Sequence, residues 1–267
     1  MSFSAAWLEM REPYDRRARN AAVIEAVVAA LAARPSVTIA DLACGTGSTV
    51  RAMMPRIKSR QNWRLVDNDL SLLARTPQSS PPNVHVATVP IDLSLDLEAA
   101  LDGPVDLVTT TALLDLVSDE WLQRLVVEIA ARRLPVYAAL SYDGRVEMTP
   151  ADSADKKIIA AVNAHQRTDK GFGPALGPTA AAAAVERFER VGYSVLQGQS
   201  DWMFTPRDRE IQLELLSGWA AAARDIGDVP LPDVIGWLTR RRDLVAAGRS
   251  SIRVGHTDLF ARPTATR

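Results

Sequence analysis

Apolar positions Val23, Val27 and Leu31 recur four apart within residues 13–33, with Ala26 and Ala30 beside them, which is the stripe of one amphipathic helix. A short, almost continuous apolar run follows over residues 37–43. It closes at Cys44-Gly45-Thr46-Gly47, and helical spacing resumes over residues 49–54, so the segment reads as strand, glycine turn and helix. The same unit recurs. Residues 63–67 predict a strand leading into a helix over 70–74, and residues 84–89 a strand leading into a helix over 95–101. A fourth strand over 105–109 precedes a helix capped by Ser118, with Asp119 and Glu120 in its first turn and Leu122, Leu125, Val126 and Ile129 on one face. Residues 134–140 predict a fifth strand. Strands alternating with helices imply an α/β fold with a mostly parallel sheet covered on both faces, because parallel neighbours need a connection long enough to carry a helix.

After Ser141 the rhythm breaks. Residues 142–178 are polar and carry Gly171, Gly173, Pro174, Gly177 and Pro178, which predicts a long excursion with one short helix around residues 156–164. A helix over 179–191 ends at Gly192, and a strand is expected at 193–197. Two amphipathic helices come next, one bearing Ile211, Leu215 and Trp219, the other starting near Pro232 with Val234, Trp237, Leu238 and Val245 on its face. Residues 252–261 return as the last strand. The expected organisation is a helical lid (1–36), a core (37–141), a cap insertion (142–178), a return to the core (179–205), a helical insertion that adds to the cap (206–250), and a last strand with its tail (251–267).

Composition narrows the partners. The 267 residues are 47% apolar and 24% charged, ordinary values for one large or two small globular domains. With 31 basic against 32 acidic side chains and a net charge of -1, no long-range field draws phosphate backbones or anionic lipid, so neither nucleic acid nor membrane is expected as a partner. No run approaches the roughly 20 apolar residues of a membrane helix. Residues 1–10 carry no basic stretch ahead of an apolar one, and a cytoplasmic protein is expected. Three scattered histidines and one thiol predict no metal site. Oligomeric state stays open.

The informative constellation is Asp41-Leu42-Ala43-Cys44-Gly45-Thr46-Gly47, then Asp67, then Asp92. Gly45 and Gly47 stand where the first strand hands over to the first helix, and glycine there lets the backbone approach a ligand. Asp67 ends the second strand about 20 residues on, the spacing at which a carboxylate reaches ribose hydroxyls. Asp92 follows the third strand, where a side chain or a neighbouring amide meets an adenine edge. Together they describe a nucleoside site. A dinucleotide fingerprint would place a third glycine where this chain has Val50, and Asp41 would sit badly beside a diphosphate. S-adenosylmethionine, with its adenosine, sulfonium and α-ammonium groups, suits these residues better than NAD.

The motifs Asp41-x-x-Cys44-Gly45-Thr46-Gly47, Leu65-Val66-Asp67-Asn68-Asp69, Ile91-Asp92-Leu93 and Asp106-Leu107-Val108 occur in that order. The sequence thereby resembles the class I S-adenosylmethionine-dependent methyltransferases, well over residues 37–141 and more loosely from Gly192 to Ala261. The resemblance implies a Rossmann-like seven-stranded sheet in the order 3-2-1-4-5-7-6, its seventh strand antiparallel. It implies that the turn around Ala43, Cys44, Gly45 and Gly47 wraps the methionine end of the cofactor, that Asp67 with Asn68 holds the ribose, and that Asp92 and Leu93 meet the adenine. One departure is the stretch of about 45 residues between the presumed sixth and seventh strands, where the family has a short hairpin.

Methyl transfer is a direct displacement, so the main demand on the protein is to hold the attacking atom in line with the methyl group. A base is required only for an acceptor that stays protonated at neutral pH. The segment Thr109-Thr110-Thr111-Ala112-Leu113-Leu114-Asp115 would lie beside the methyl group, with Thr110 against the cofactor and Asp115 as an orienting group or base. It lacks the Asp/Asn-Pro-Pro-aromatic signature of enzymes that grip an amide or nucleobase nitrogen, which favours a small-molecule acceptor. His165, in a polar, glycine-bearing loop, is a second candidate base. On the N-terminal helix, Tyr14 could cover the methyl site and Arg19 could pair with the methionine carboxylate. Trp202, Trp219 and Trp237 are candidates for a pocket wall or for core. Two other readings stay open: a protein that binds the cofactor without turnover, and a nucleotide-dependent oxidoreductase.

Overall fold

The computed structural model describes residues 3–77 and 81–264. The outermost residues of the expected lid and tail, 1–2 and 265–267, lie outside the described residues, as do 78–80. The first expected helix is in fact two, α1 (Ala5–Ala18) and α2 (Ala21–Leu31). The break is made at Arg19 and Asn20: the Asn20 side chain caps α2 by accepting from Val23 N–H, and the Asn20 backbone N–H donates to Asp258. The apolar spacing that ran through residues 13–33 carries no signal of that cap, because a hydrogen bond from a distant strand supplies half of it.

The strand and helix units follow as expected: β1 (Ser36–Leu42), α3 (Ser48–Met53), β2 (Arg60–Asp67), α4 (Leu70–Leu73), β3 (Val84–Pro90), α5 (Leu97–Ala100), β4 (Leu107–Thr111) and α6 (Asp119–Arg132), the last capped by Ser118 Oγ. The next strand differs. β5 runs from Val136 to Thr149, well past Leu140. Its second half pairs antiparallel with the start of the last strand, and Tyr142 and Met148 are buried there. Asp143, Gly144 and Arg145 interrupt the alternation at a register shift, so the segment reads as a loop although it is a strand.

The chain closes with α7 (Asp155–His165), α8 (Ala180–Arg190), β6 (Tyr193–Gln199), a short β7 (Trp202–Phe204), α9 (Arg209–Ile226), α10 (Leu231–Ala246) and β8 (Ser251–Pro263). Among the described residues the strands form one eight-stranded sheet in the order β3-β2-β1-β4-β5-β8-β6, with β7 pairing the free half of β8. The pairs from β3 to β5 are parallel, and β8 is antiparallel to all its neighbours. The long interval before the last strand is α9 and α10. These pack with α7, β7 and the extended ends of β5 and β8 around Trp219 and Trp237, a hydrophobic core separate from the two that cover the faces of the main sheet. After β1 the chain builds outward through β2 and β3, then crosses to β4 on the other side. That reversal opens a crevice beyond the carboxyl ends of β1 and β4.

Candidate functional site

A cavity of about 750 Å³ occupies this crevice, within the ~300–1,000 Å³ typical of small-molecule sites. Its floor is the glycine turn from Ala43 to Thr46 with Ser48 and Thr49. One wall is Asp67–Leu72 and Ile91–Ser94; the other is Thr111, Ala112, Leu113 and Leu116. α1 closes the cavity with Leu8, Arg11 and Asp15, and the loop after α7 adds Lys170, Gly171 and Phe172. Two positive-φ residues other than glycine line the cavity, Ala43 (φ 52) in the floor and Ala112 (φ 53) in one wall. Left-handed backbone at alanine costs energy and persists where the surroundings enforce it, as ligand sites do.

Asp67 joins the floor to the first wall. One carboxylate oxygen accepts the Gly45 N–H at 2.8 Å and the other the Asp69 N–H at 3.0 Å. Each oxygen keeps further acceptor capacity. Gly45 has φ +54, a backbone conformation that favours glycine, and a Cβ there would meet the Leu8 side chain of α1 at 3.1 Å, so the turn lets α1 lie close above it. Asp92 accepts both N–H and Oγ–H of Ser94, and these bonds hold its carboxyl below the usual range, so it is ionised. The Asn68 side chain also bonds to Asp92. Leu93 places its carbonyl on Trp121 Nε1–H at 2.7 Å, and Trp121 in turn meets Phe172 edge to face, which anchors the loop over the cavity.

Of the residues singled out from the sequence, the structure brings Ala43, Cys44, Gly45, Asp67, Asn68, Asp92 and Leu93 to the cavity wall. Gly47, Asp41, Thr110, Arg19, Tyr14, Asp115 and His165 are elsewhere. Gly47 shapes the turn from behind with φ +83. Asp41 is buried beneath it, bonded by Thr109 Oγ1–H at 2.7 Å, and burial pushes its carboxyl up to about 7. Thr110 donates to the Leu42 carbonyl. Arg19 is buried against Tyr137 and donates to Thr111 Oγ1, which also bonds Thr49, so it orders two wall residues from below. Tyr14 donates to Asp208 at the start of α9. Asp115 is buried outside the lining, one oxygen without a partner, and burial pushes it up to about 6 although the Arg11 charge opposes this. His165 ends α7, its Nδ1 3.3 Å from Lys170 Nζ; burial and then that ammonium lower its pKa.

Burial drives the Cys44 thiol upward, far from thiolate chemistry. Trp219 and Trp237 belong to the helical core, and Trp202 touches the site indirectly, donating to Asp15 at 2.9 Å. Sequence reasoning missed Arg11, Asp15, Lys170 and Phe172. The spacing of Leu8, Arg11 and Asp15 on one helix face was a usable signal, but only α1 lying on the glycine turn makes that face a wall.

No protein-family model matches the sequence, and no curated protein matches it. Solved structures match in fold. A cyclopropane-fatty-acyl-phospholipid synthase-like protein from Lactobacillus casei is similar with a TM-score of 0.53 at 14% identity, over 97% of this chain and 94% of that one. A candidate type II methyltransferase from Anaeromyxobacter dehalogenans also has a TM-score of 0.53 at 14% identity, over 92% of this chain and 96% of the other. The strand order, the reversal between β1 and β4 and these likenesses together establish that the chain has the Rossmann-like fold of the class I methyltransferases.

Proposed function

We propose that the protein is an S-adenosylmethionine-dependent methyltransferase acting on a small-molecule acceptor by in-line transfer. The observation that carries this reading is Asp67, a carboxylate fixed by two backbone N–H groups at the end of β2, beside a glycine turn, in a cavity large enough for a nucleoside and a second molecule. Such a carboxylate is oriented to accept from paired ribose hydroxyls without reorganising.

The residues present fit the cofactor. Gly45 and the left-handed Ala43 would let backbone approach the methionine arm, Asp67 would hold the ribose, and Asp92, Leu93 and Phe172 would enclose the base. The bound cofactor would supply an electrophilic methyl group. The protein's own contribution is to orient the acceptor along the Thr111–Leu113 wall and to exclude water through α1 and the 170–172 loop. Among the described residues no carboxylate or imidazole stands on that wall to take a proton: neither Asp115 nor His165 lines the cavity. An acceptor that is already a nucleophile at neutral pH therefore suits the site best.

The dinucleotide alternative is disfavoured by Val50, which is fully buried in the core at the position where the close helix–strand packing of a dinucleotide turn needs glycine. Isothermal titration with S-adenosylhomocysteine tests the proposal. Micromolar binding that NAD(P) does not reproduce supports it, and no heat and no thermal shift with S-adenosylhomocysteine or S-adenosylmethionine would overturn it.

A further inference from the structure

We infer that Arg11 is the binding residue for a carboxylate on the methyl acceptor, so that the substrate class is small carboxylic acids; this rests on the methyltransferase reading above. Arg11 lies on the cavity-facing side of α1 and is 8% exposed. Its Nε donates to Asp15 at 2.9 Å, and its guanidinium carbon lies 5.0 Å from the centre of the Trp202 ring. Asp15 is itself held by Trp202 Nε1–H. The guanidinium is thus fixed from two sides through one nitrogen and one face. Among the described residues no protein acceptor takes its two Nη groups, and they are not among the sealed polar atoms. A purely structural ion pair of this kind closes the fork on its carboxylate; here Asp15 takes only Nε, and Arg11 lines the cavity while its charge also acts on the buried Asp115 and His256.

The position separates this group from the nucleoside end. Asp67 and Asp92 stand at the ends of β2 and β3, on one side of β1. Arg11 is set against Trp202 of β7, which pairs with β8 on the other side, beyond β4 and β5. A planar anion docked end-on to the Nη pair would lie at the acceptor end of the cavity. A second buried cation of the lining, Lys170, is 5% exposed and comes from the loop after α7.

The test uses the full chain saturated with S-adenosylhomocysteine and reads its melting temperature against benzoate, decanoate and succinate, each beside its primary amide. The expected result is a shift with at least one acid and none with the matching amide. Arg11→Gln should weaken that acid about ten- to a hundredfold, the loss of a charge-assisted bidentate contact, while S-adenosylhomocysteine binds within about twofold of the parent. Because Arg11→Gln leaves Asp15 buried without its cation, Arg11→Lys is the companion: it should keep the unliganded melting temperature and the cofactor affinity but lose most of the preference for acid over amide. Equal response to acid and amide across the panel overturns the assignment. So does an Arg11→Lys protein that loses S-adenosylhomocysteine itself, which would give the fork to the methionine carboxylate. Failure of the parent to bind S-adenosylhomocysteine at all would instead sink the cofactor reading.

Discussion

Truncating Asp67 to alanine removes a carboxylate that does two jobs at once. Its oxygens accept the Gly45 and Asp69 N–H groups at 2.8 and 3.0 Å, and the same oxygens line the cavity. Two charge-assisted hydrogen bonds to a ribose diol are worth about 3–6 kcal/mol together, or roughly 10²- to 10⁴-fold in dissociation constant. Water admitted to the truncated site offsets part of this, so a loss of at least about 100-fold is expected in titrations with S-adenosylhomocysteine. Asp67→Asn sharpens the test. Its amide nitrogen would face a backbone N–H across about 3 Å, donor against donor, so the near-isosteric change should bind no better than alanine. The Gly45 and Asp69 amides border the cavity and can bond water instead, so the unliganded melting temperature should fall by only a few degrees, on the order of 1 kcal/mol. Binding of either variant within about threefold of the parent would refute the assignment of Asp67 to the ribose.

Other perturbations follow from groups around the site. Asp41 has its carboxyl raised by burial to about 7 from 3.8. Its folded state holds the proton more tightly than the unfolded chain, so the stability it contributes is complete below about pH 4 and is lost as pH rises through 7, about 4 kcal/mol in all. Asp41→Asn should therefore gain on the parent steadily from pH 4 to 7 in urea unfolding, and a constant difference would contradict the burial argument. His256 has the opposite sign: burial, with Arg11 adding to it, lowers it to about 3 from 6.5. Its contribution is complete above pH 6.5 and falls by about 2 kcal/mol at pH 5; His256→Phe should flatten that acid limb, and an unchanged slope would show that the ring is protonated in the fold. Gly47→Ala puts a Cβ at φ +83, 3.0 Å from Pro77, so the urea midpoint should drop by the equivalent of about 1–2 kcal/mol, with weaker S-adenosylhomocysteine binding.

Short-range pattern was enough for the alternating strands and helices, the glycine turn and the two acids at successive strand ends. Each of those depends on residues close in the chain: apolar period, the Cβ-free turn, a carboxylate at a strand terminus. Three features were not legible for one common reason. The division of the first helix at Asn20 needs Asp258, and the extension of β5 past Leu140 needs β8 as its partner. The choice of wall residues needs α1 to cross the glycine turn, which selects Arg11 and Asp15 and turns Tyr14 toward Asp208 and Arg19 toward Tyr137. A helix stripe states which face is covered, not what covers it. The sequence by itself determined the sheet, its crevice and the acids of the nucleoside end, because local chemistry carries them. Only tertiary packing decided the other end of the cavity, where buried side chains from α1, β7 and the loop after α7 meet across long stretches of chain, each held by partners that no spacing records.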